Sequence, residues 1–347
     1  MKIAHIEAWP VTMRLSEPYV IAYESVETTT AVFLRIETDR GPTGFGCAAP
    51  DEAVCGETAD DVLTWLRESA EPALMGQDPL DVYELRASPA ATAMVDMALY
   101  DIQGKVRGLP LFSLLGGGRH DSIITSITIG ILPEAETIVS ARRRVGQGFV
   151  CLKLKGGLDW EEDAARVLKV REAVGDQVEL RFDANQGFTL EESVRFARAT
   201  AAAALEFIEQ PTPRDDLAGL AEVARAIDVP VMADESLVTV ADAERICLDH
   251  TADLVNVKLM KVGGIQRAVE IDRMAAEAGI PAMVGCMDEP ALAIAAGLHL
   301  ALARPNVRYA DLDGHLDLLG DPSNGAVFLE AGRLRPAAKP GLGFDIE

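Results

Sequence analysis

From residue 121 onward the chain repeats one unit: an apolar run ending in a charged residue, a loop, then a helix-like stretch. Strands are expected at 122–130, 149–155, 178–183, 205–209, 230–234, 253–258, 280–286 and 306–313. Helices are expected between them, at 133–146, 160–174, 189–203, 215–227, 239–248, 264–278 and 289–303. Eight strands alternating with seven helices predict an α/β fold, a (β/α)-barrel of the modified (β/α)7β type that lacks its last helix. A doubly wound sheet is the alternative. It usually carries a glycine-rich phosphate turn after its first strand, and Gly130-Ile131-Leu132-Pro133 is not one.

The first third reads differently. Alternating patterns over 3–14 and 30–38 predict half-buried strands, with Asp39-Arg40-Gly41 turning into 44–48. Helical stretches at 58–75 and 89–106 follow, and Gly116-Gly117-Gly118 marks a boundary. The expected division is an α+β domain over 1–118 and a barrel over 119–318. A segment over 319–347, without barrel periodicity, should pack back onto the first domain.

A formal charge of −23 with no basic patch argues against nucleic acid and anionic membranes as partners. Five scattered cysteines without a CxxC pair fit a reducing compartment. Residues 1–10 show neither a long apolar run nor a cleavage motif, and no run approaches 18 apolar residues, so no signal peptide, a cytoplasmic location and no membrane contact are expected.

Asp183, Glu209 and Asp234 end three successive predicted strands, at spacings of 209 − 183 = 26 and 234 − 209 = 25 residues. An acid at one strand end is ordinary loop solvation. Three in consecutive units, on strands about 4.8 Å apart, converge on one point. They cannot all stay ionised without a cation, and an all-oxygen set suits Mg²⁺, one ion per subunit. Lys153 and Lys155 sit two apart on the second barrel strand, so both point into the mouth. Each should lower the other's pKa, as a lysine base near neutral pH requires. Lys258 ends strand six, four positions around a ring of eight, which places it opposite Lys155. Two lysines on opposite sides of one carbon can remove a proton from one face and return it to the other. The ion would bind the substrate carboxylate and stabilise the ene-diolate.

Asp311 and Asp313, two apart at the end of strand eight, have no metal role left to fill and suit a cationic group such as an ammonium. Lys261 reads as a loop lysine and Asp317 as part of the exit loop. Met287 and Asp288, in Cys286-Met287-Asp288-Glu289, are expected to line the pocket. His120, His250, His299 and His315 show no ligand spacing.

This constellation resembles the enolase superfamily, whose members join an α+β capping domain to a barrel with a metal triad at the strand ends; its Lys base and Mg²⁺-stabilised ene-diolate are a known pattern. Lys153-Leu154-Lys155 with Lys258 resembles the muconate-cycloisomerase subgroup. Lys258-Leu259-Met260-Lys261, Gly285-Cys286-Met287-Asp288-Glu289 and Asp311-Leu312-Asp313-Gly314 together resemble dipeptide epimerases. The resemblance implies Asp183, Glu209 and Asp234 as Mg²⁺ ligands and Lys155 and Lys258 as the acid/base pair. It implies Lys153 on the substrate carboxylate and Asp311 and Asp313 on the α-ammonium of a dipeptide. The C-terminal residue of the dipeptide would be inverted.

Ala-Glu-specific members carry an arginine in the N-terminal loop, whereas here residues 19–25 hold no Arg or Lys and Glu24 stands near that place. With Asp51 in the second loop, cationic or neutral side chains are expected rather than Glu. Other activities of the subgroup remain alternatives: N-acylamino acid racemase, o-succinylbenzoate synthase and cycloisomerase. An acid-sugar dehydratase would use a His base in later strands, and a non-catalytic binding barrel would need no paired lysines. Barrels of this kind associate through exposed faces, so a homo-oligomer is expected.

Overall fold

The computed structural model describes residues 1–21, 25–81, 83, 85, 88–117 and 120–346. Its N-terminal sheet is antiparallel: β1 (Ile3–Val20), β2 (Ser25–Thr38) and β3 (Gly44–Ala48). β1 and β2 form one long ribbon, paired from Ile3↔Thr38 to Val20↔Ser25, with an irregularity between Arg14 and Tyr19. The ribbon outruns the strands expected from the sequence, by residues 15–20 on β1 and 25–29 on β2. It carries Tyr19 and Ile21 to the barrel mouth.

The helix Pro89–Arg107 lies across this sheet, with Pro89 in its first turn and Gly108 in the left-handed conformation (φ 65°) ending it. The approach is tight. A methyl group at Gly46 would stand 2.0 Å from the Met94 carbonyl oxygen, so only glycine fits there. The expected helix at 58–75 is instead Ala59–Trp65, a π-helical turn Leu66–Ala70 and Glu71–Leu74, opened by a Thr58/Asp61 capping box.

A short strand β4 (Ile123–Ile124) precedes the barrel. The barrel strands are β5 (Ile127–Ile129), β6 (Cys151–Lys155), β7 (Glu179–Asp183), β8 (Ile208–Glu209), β9 (Val231–Ala233), β10 (Leu254–Lys258), β11 (Ala282–Gly285) and β12 (Val307–Asp311). All neighbours are parallel and follow chain order. A parallel bridge Thr125↔Ala310 brings first and last strands together, so the barrel is nearly closed. Helices from Glu134–Gly146 to Ala291–Ala303 connect successive barrel strands.

The expected first strand, 122–130, is therefore two. Ile123–Ile124 turns out to pair with β15 (Arg333–Pro336), and Thr125 spends its hydroxyl accepting from the Leu312 amide (2.8 Å). β13 (Leu318–Leu319) extends the N-terminal sheet beside β1, and β14 (Val327–Glu330) pairs with β15. The tail then crosses to the cap. Leu109 and Gly341 exchange backbone bonds with their surroundings, Gly341 N donating to the Leu109 carbonyl at 2.9 Å. Buried Asp101 accepts from the Leu342 amide (2.8 Å) and the Phe45 amide (3.0 Å) and pairs with Lys105 (2.7 Å). Among the described residues no helix is long and apolar enough to cross a membrane.

Inside the barrel, below the mouth, Arg181 replaces the usual aliphatic filling. Its guanidinium donates to Glu206 (2.7 Å), the Ala310 carbonyl (2.9 Å) and Ser126 Oγ (3.2 Å), and lies over the Phe207 ring. Ser126 in turn donates to Asp311 Oδ1 at 2.6 Å. A buried cation in the floor thus fixes a carboxylate in the mouth through one hydroxyl.

Candidate active site

Every charged strand end identified in the sequence lies at the carboxyl ends of the barrel strands, as successive registers require. Lys155 is level with Asp183, and Asp183 with Glu209. One oxygen from each of Asp183, Glu209 and Asp234 falls within 4.8 Å of the others, and all three residues are buried.

The two oxygens of each carboxylate have different surroundings. One is fixed: Asp183 Oδ1 by the Asn185 amide (2.9 Å), Glu209 Oε1 by Asn256 Nδ2 (2.7 Å), Asp234 Oδ1 by Lys261 Nζ. The other faces a lysine of the mouth. Lys153 Nζ is 3.0 Å from Asp183 Oδ2, 3.0 Å from Glu209 Oε2 and 2.8 Å from Asp311 Oδ2. Lys155 Nζ bonds Asp183 Oδ2 (2.8 Å) and Asn185 Oδ1 (3.0 Å), and Lys258 Nζ lies 2.9 Å from Asp234 Oδ2. Three outward oxygens, each from a carboxylate already oriented through its other oxygen, are a fitting donor set for a hard divalent cation.

The electrostatics differ from expectation in one respect. Burial works to lower the pKa of Lys153, yet Asp183, Asp311 and Glu209 together outweigh it and hold the ammonium charged well above its usual range. Burial likewise opposes charge on Lys258, and Asp234 overcomes it. The carboxylates therefore set these lysines, and repulsion from other lysines is the smaller effect. Burial and the neighbouring Asp183 charge push Glu209 up to about 8, while burial of Asp234 is overcome by Lys258 and Lys261, which hold it far down.

Asp311 and Asp313 share the mouth but differ in freedom. Asp311 is committed to Ser126 and Lys153, and those bonds overcome burial to hold its pKa below the ordinary range. Asp313 accepts the Thr128 amide on Oδ2 (2.6 Å), and the Cys286 thiol lies 4.0 Å from Oδ1; burial and the Asp311 charge raise it to about 6.

Met287, Asp288 and Asp51 line the same cavity, together with Tyr19 from the β1 end. Tyr19 Oη donates to Asp288 Oδ2 at 2.7 Å, joining cap to barrel. Asp51 also caps the short helix Glu52–Cys55 by accepting from the Val54 amide (3.0 Å). Burial raises Asp288 to about 6. Glu24 lies outside the described residues. Asp317 lies at the pocket edge and pairs with Arg144 (3.4 Å).

Several residues of the site went unread in the sequence. Lys261 is no loop lysine: it lies on a one-turn helix, Leu259–Val262, and is fully buried against Asp234. Asn256 lies two residues before Lys258 on β10, so strand periodicity would have placed it on the same face. Gln210 has positive φ (34°); its Oε1 accepts from the Asp234 (2.9 Å) and Ser236 (3.1 Å) amides, and it joins the ends of β8 and β9. Asn185 (φ 42°) bridges Lys155 and buried Glu235. Left-handed residues of this kind gather where function over-determines the backbone.

Comparison with known proteins gives a consistent result. Residues 4–116 match the mandelate racemase / muconate lactonizing enzyme N-terminal domain, and residues 136–347 match the enolase C-terminal domain-like family. The chain is 42% identical to the L-Lys-D/L-Arg epimerase of Desulforapulum autotrophicum, over 99% of each protein. A substrate-liganded L-Ala-D/L-Glu epimerase from Bacillus subtilis superposes with a TM-score of 0.95 at 38% identity, covering 99% of this chain and 98% of that one. A dipeptide epimerase from Methylococcus capsulatus, complexed with Mg and L-Arg-D-Lys, superposes with a TM-score of 0.93 at 40% identity, covering 99% of both.

Proposed function

We propose, since this chain belongs to the enolase superfamily and to its muconate lactonizing enzyme subgroup, that it is a Mg²⁺-dependent dipeptide epimerase inverting the α-carbon of the C-terminal residue. It is an enzyme of the isomerase class, like its named epimerase and racemase relatives. The observation that carries the reading is the position of the two lysines. Lys155 is on β6 and Lys258 on β10, four strands apart in a ring of eight, each against a different carboxylate of the triad.

Asp183, Glu209 and Asp234 would hold the ion, which would bind substrate carboxylate oxygens, stabilise charge developing on them and offset the field that keeps Lys153 and Lys258 protonated. Lys155 takes the α-proton from one face of the substrate and Lys258 supplies one to the other, or the reverse for the opposite epimer. Lys153, held by Asp311 beneath it, contacts the substrate carboxylate. Asp313, which lines the cavity, receives the α-ammonium, and Asp311 adds negative charge beside it.

For the side chain we favour cationic residues, with neutral ones next. Asp51 and Asp288 line the cavity where the substrate side chain would extend, and residues 19–21 supply no basic group. The relatives named L-Lys-D/L-Arg epimerase support this choice, although an Ala-Glu relative is nearly as similar, at 39% identity. The acidic lining therefore carries more weight than the identity.

The test is a panel of dipeptides incubated with enzyme and Mg²⁺ in D₂O, read by mass spectrometry for deuterium at Cα and by chiral separation. Inversion at the C-terminal residue, fastest for Lys and Arg and absent in excess EDTA, is the expected result. Turnover of N-acylated amino acids alone would replace the proposal with a racemase, and a preference for C-terminal Glu would remove the side-chain assignment.

A further inference from the structure

Lys261 is 0% exposed, and all three ammonium donors find oxygen: the Asp234 carbonyl at 2.5 Å, Asp234 Oδ1, and the Asn256 carbonyl at 3.3 Å. Burying such a charge is costly, and an aliphatic residue of similar volume fills the same space without that cost. The contacts themselves point to a use. Asp234 directly follows β9 and stands between two lysines: Lys261 holds Oδ1, and Lys258 lies 2.9 Å from Oδ2. Lys261 also grips the Asn256 carbonyl, on the strand that carries Lys258 two residues later.

We infer that Lys261 is a positioning residue for the proton transfer: by holding Oδ1 of Asp234, it leaves Lys258 only Oδ2 and keeps that ammonium directed across the mouth. With Oδ1 released, Lys258 would be drawn toward both oxygens of Asp234 and away from the carbon it must reach. Lys155 is tied to this end of the site only at a distance, through Asn185 to Glu235, the residue after Asp234. Its partners, Asp183 and Asn185, are on another strand end and make no bond to Lys261. Loss of Lys261 is therefore one-sided in its effect on the chemistry.

The inference rests on the two-lysine reading above, and one experiment separates the two. Exchange of the α-proton with D₂O is measured from each epimer of a turned-over dipeptide, for wild type, Lys258→Met and Lys261→Met, with Mg²⁺ affinity followed by calorimetry. Lys258→Met identifies the epimer whose exchange needs Lys258; if it lowers both epimers alike, the two-lysine reading itself fails. Given that separation, Lys261→Met is expected to lower exchange from the same epimer by about tenfold or more relative to the other, the order expected for a misplaced reacting group. Equal loss from both epimers, alone or with weakened Mg²⁺ binding, would reduce Lys261 to a support of the fold or of the ion site and overturn the inference. Lys261→Gln keeps an N–H donor of shorter reach and is measured alongside. It should show the same asymmetry to a smaller degree, and it decides the question by the same ratio if the Met variant does not fold.

Discussion

Asn256 determines which oxygen of Glu209 faces the mouth, since its Nδ2 holds Oε1 at 2.7 Å and leaves Oε2 toward Lys153. Gly285 on the next strand makes room for it: a methyl group there would stand 2.4 Å from Asn256 Oδ1. Asn256→Ala is expected to lower Mg²⁺ affinity or kcat/KM by about 10- to 100-fold, the usual cost of removing a group that orients a metal ligand. Calorimetry and steady-state rates check it. Asp313→Asn should raise KM for dipeptides with a free amine by about 10- to 100-fold, since a hydrogen bond to a charged group contributes about 1.5–3 kcal/mol. An unchanged KM would shift the ammonium to Asp311. The three acids, the three mouth lysines and the Asp-x-Asp pair were legible because each ends an apolar run. Lys261 was not, because its burial depends on a single helical turn folding back under Asp234, and no periodicity announces one turn. Nor could the sequence rank Asp311 against Asp313, since Ser126 and Lys153 approach from other strands.

At the scale of elements, the barrel helices came through nearly in place because each strand–helix unit is regular. The misreadings fell where a segment serves two structures. The first barrel strand splits because β4 pairs with the C-terminal hairpin, and the 58–75 helix carries a π turn. The start of helix Pro89–Arg107 shows a related economy. Ser88 makes no side-chain cap, and Glu57 accepts from the Ala91 amide (3.0 Å) from outside the helix. Burial raises the Glu57 pKa above its ordinary 4.5, more than these hydrogen bonds lower it. The unfolded chain therefore releases this proton first as pH rises. The contribution of Glu57 is whole below about pH 4.5 and diminishes as pH climbs through the folded-state value. Glu57→Gln should remove that decline while keeping a side chain of the same shape. Melting temperatures of the two proteins should diverge in favour of Gln with rising pH from about 4.5, and parallel curves would count against it.

The whole molecule carries a net charge of −23. A cavity lined by more acids than bases within so negative a surface should attract cationic substrates at long range and lose that attraction in salt. For a Lys- or Arg-containing dipeptide, kcat/KM is expected to fall steadily as NaCl rises to about 0.5 M, where the screening length drops to a few ångströms. For a neutral dipeptide it should stay nearly flat. Equal slopes would indicate that surface charge plays no part in capture. At this scale the sequence conveyed the barrel and an α+β unit before it, because periodicity changes between them. It could not convey where they touch, since Tyr19 and Asp288 are 269 positions apart and meet only in the folded chain.

That meeting point has a consequence for how such a protein can change. Residues that would move protons are rooted in the barrel, whereas one wall of the opening is lent by a ribbon and a short turn of the neighbouring unit. Rewriting that borrowed wall could redirect which guests are admitted and leave the reactive floor untouched, so new preferences can arise by editing a few positions far upstream of the chemistry.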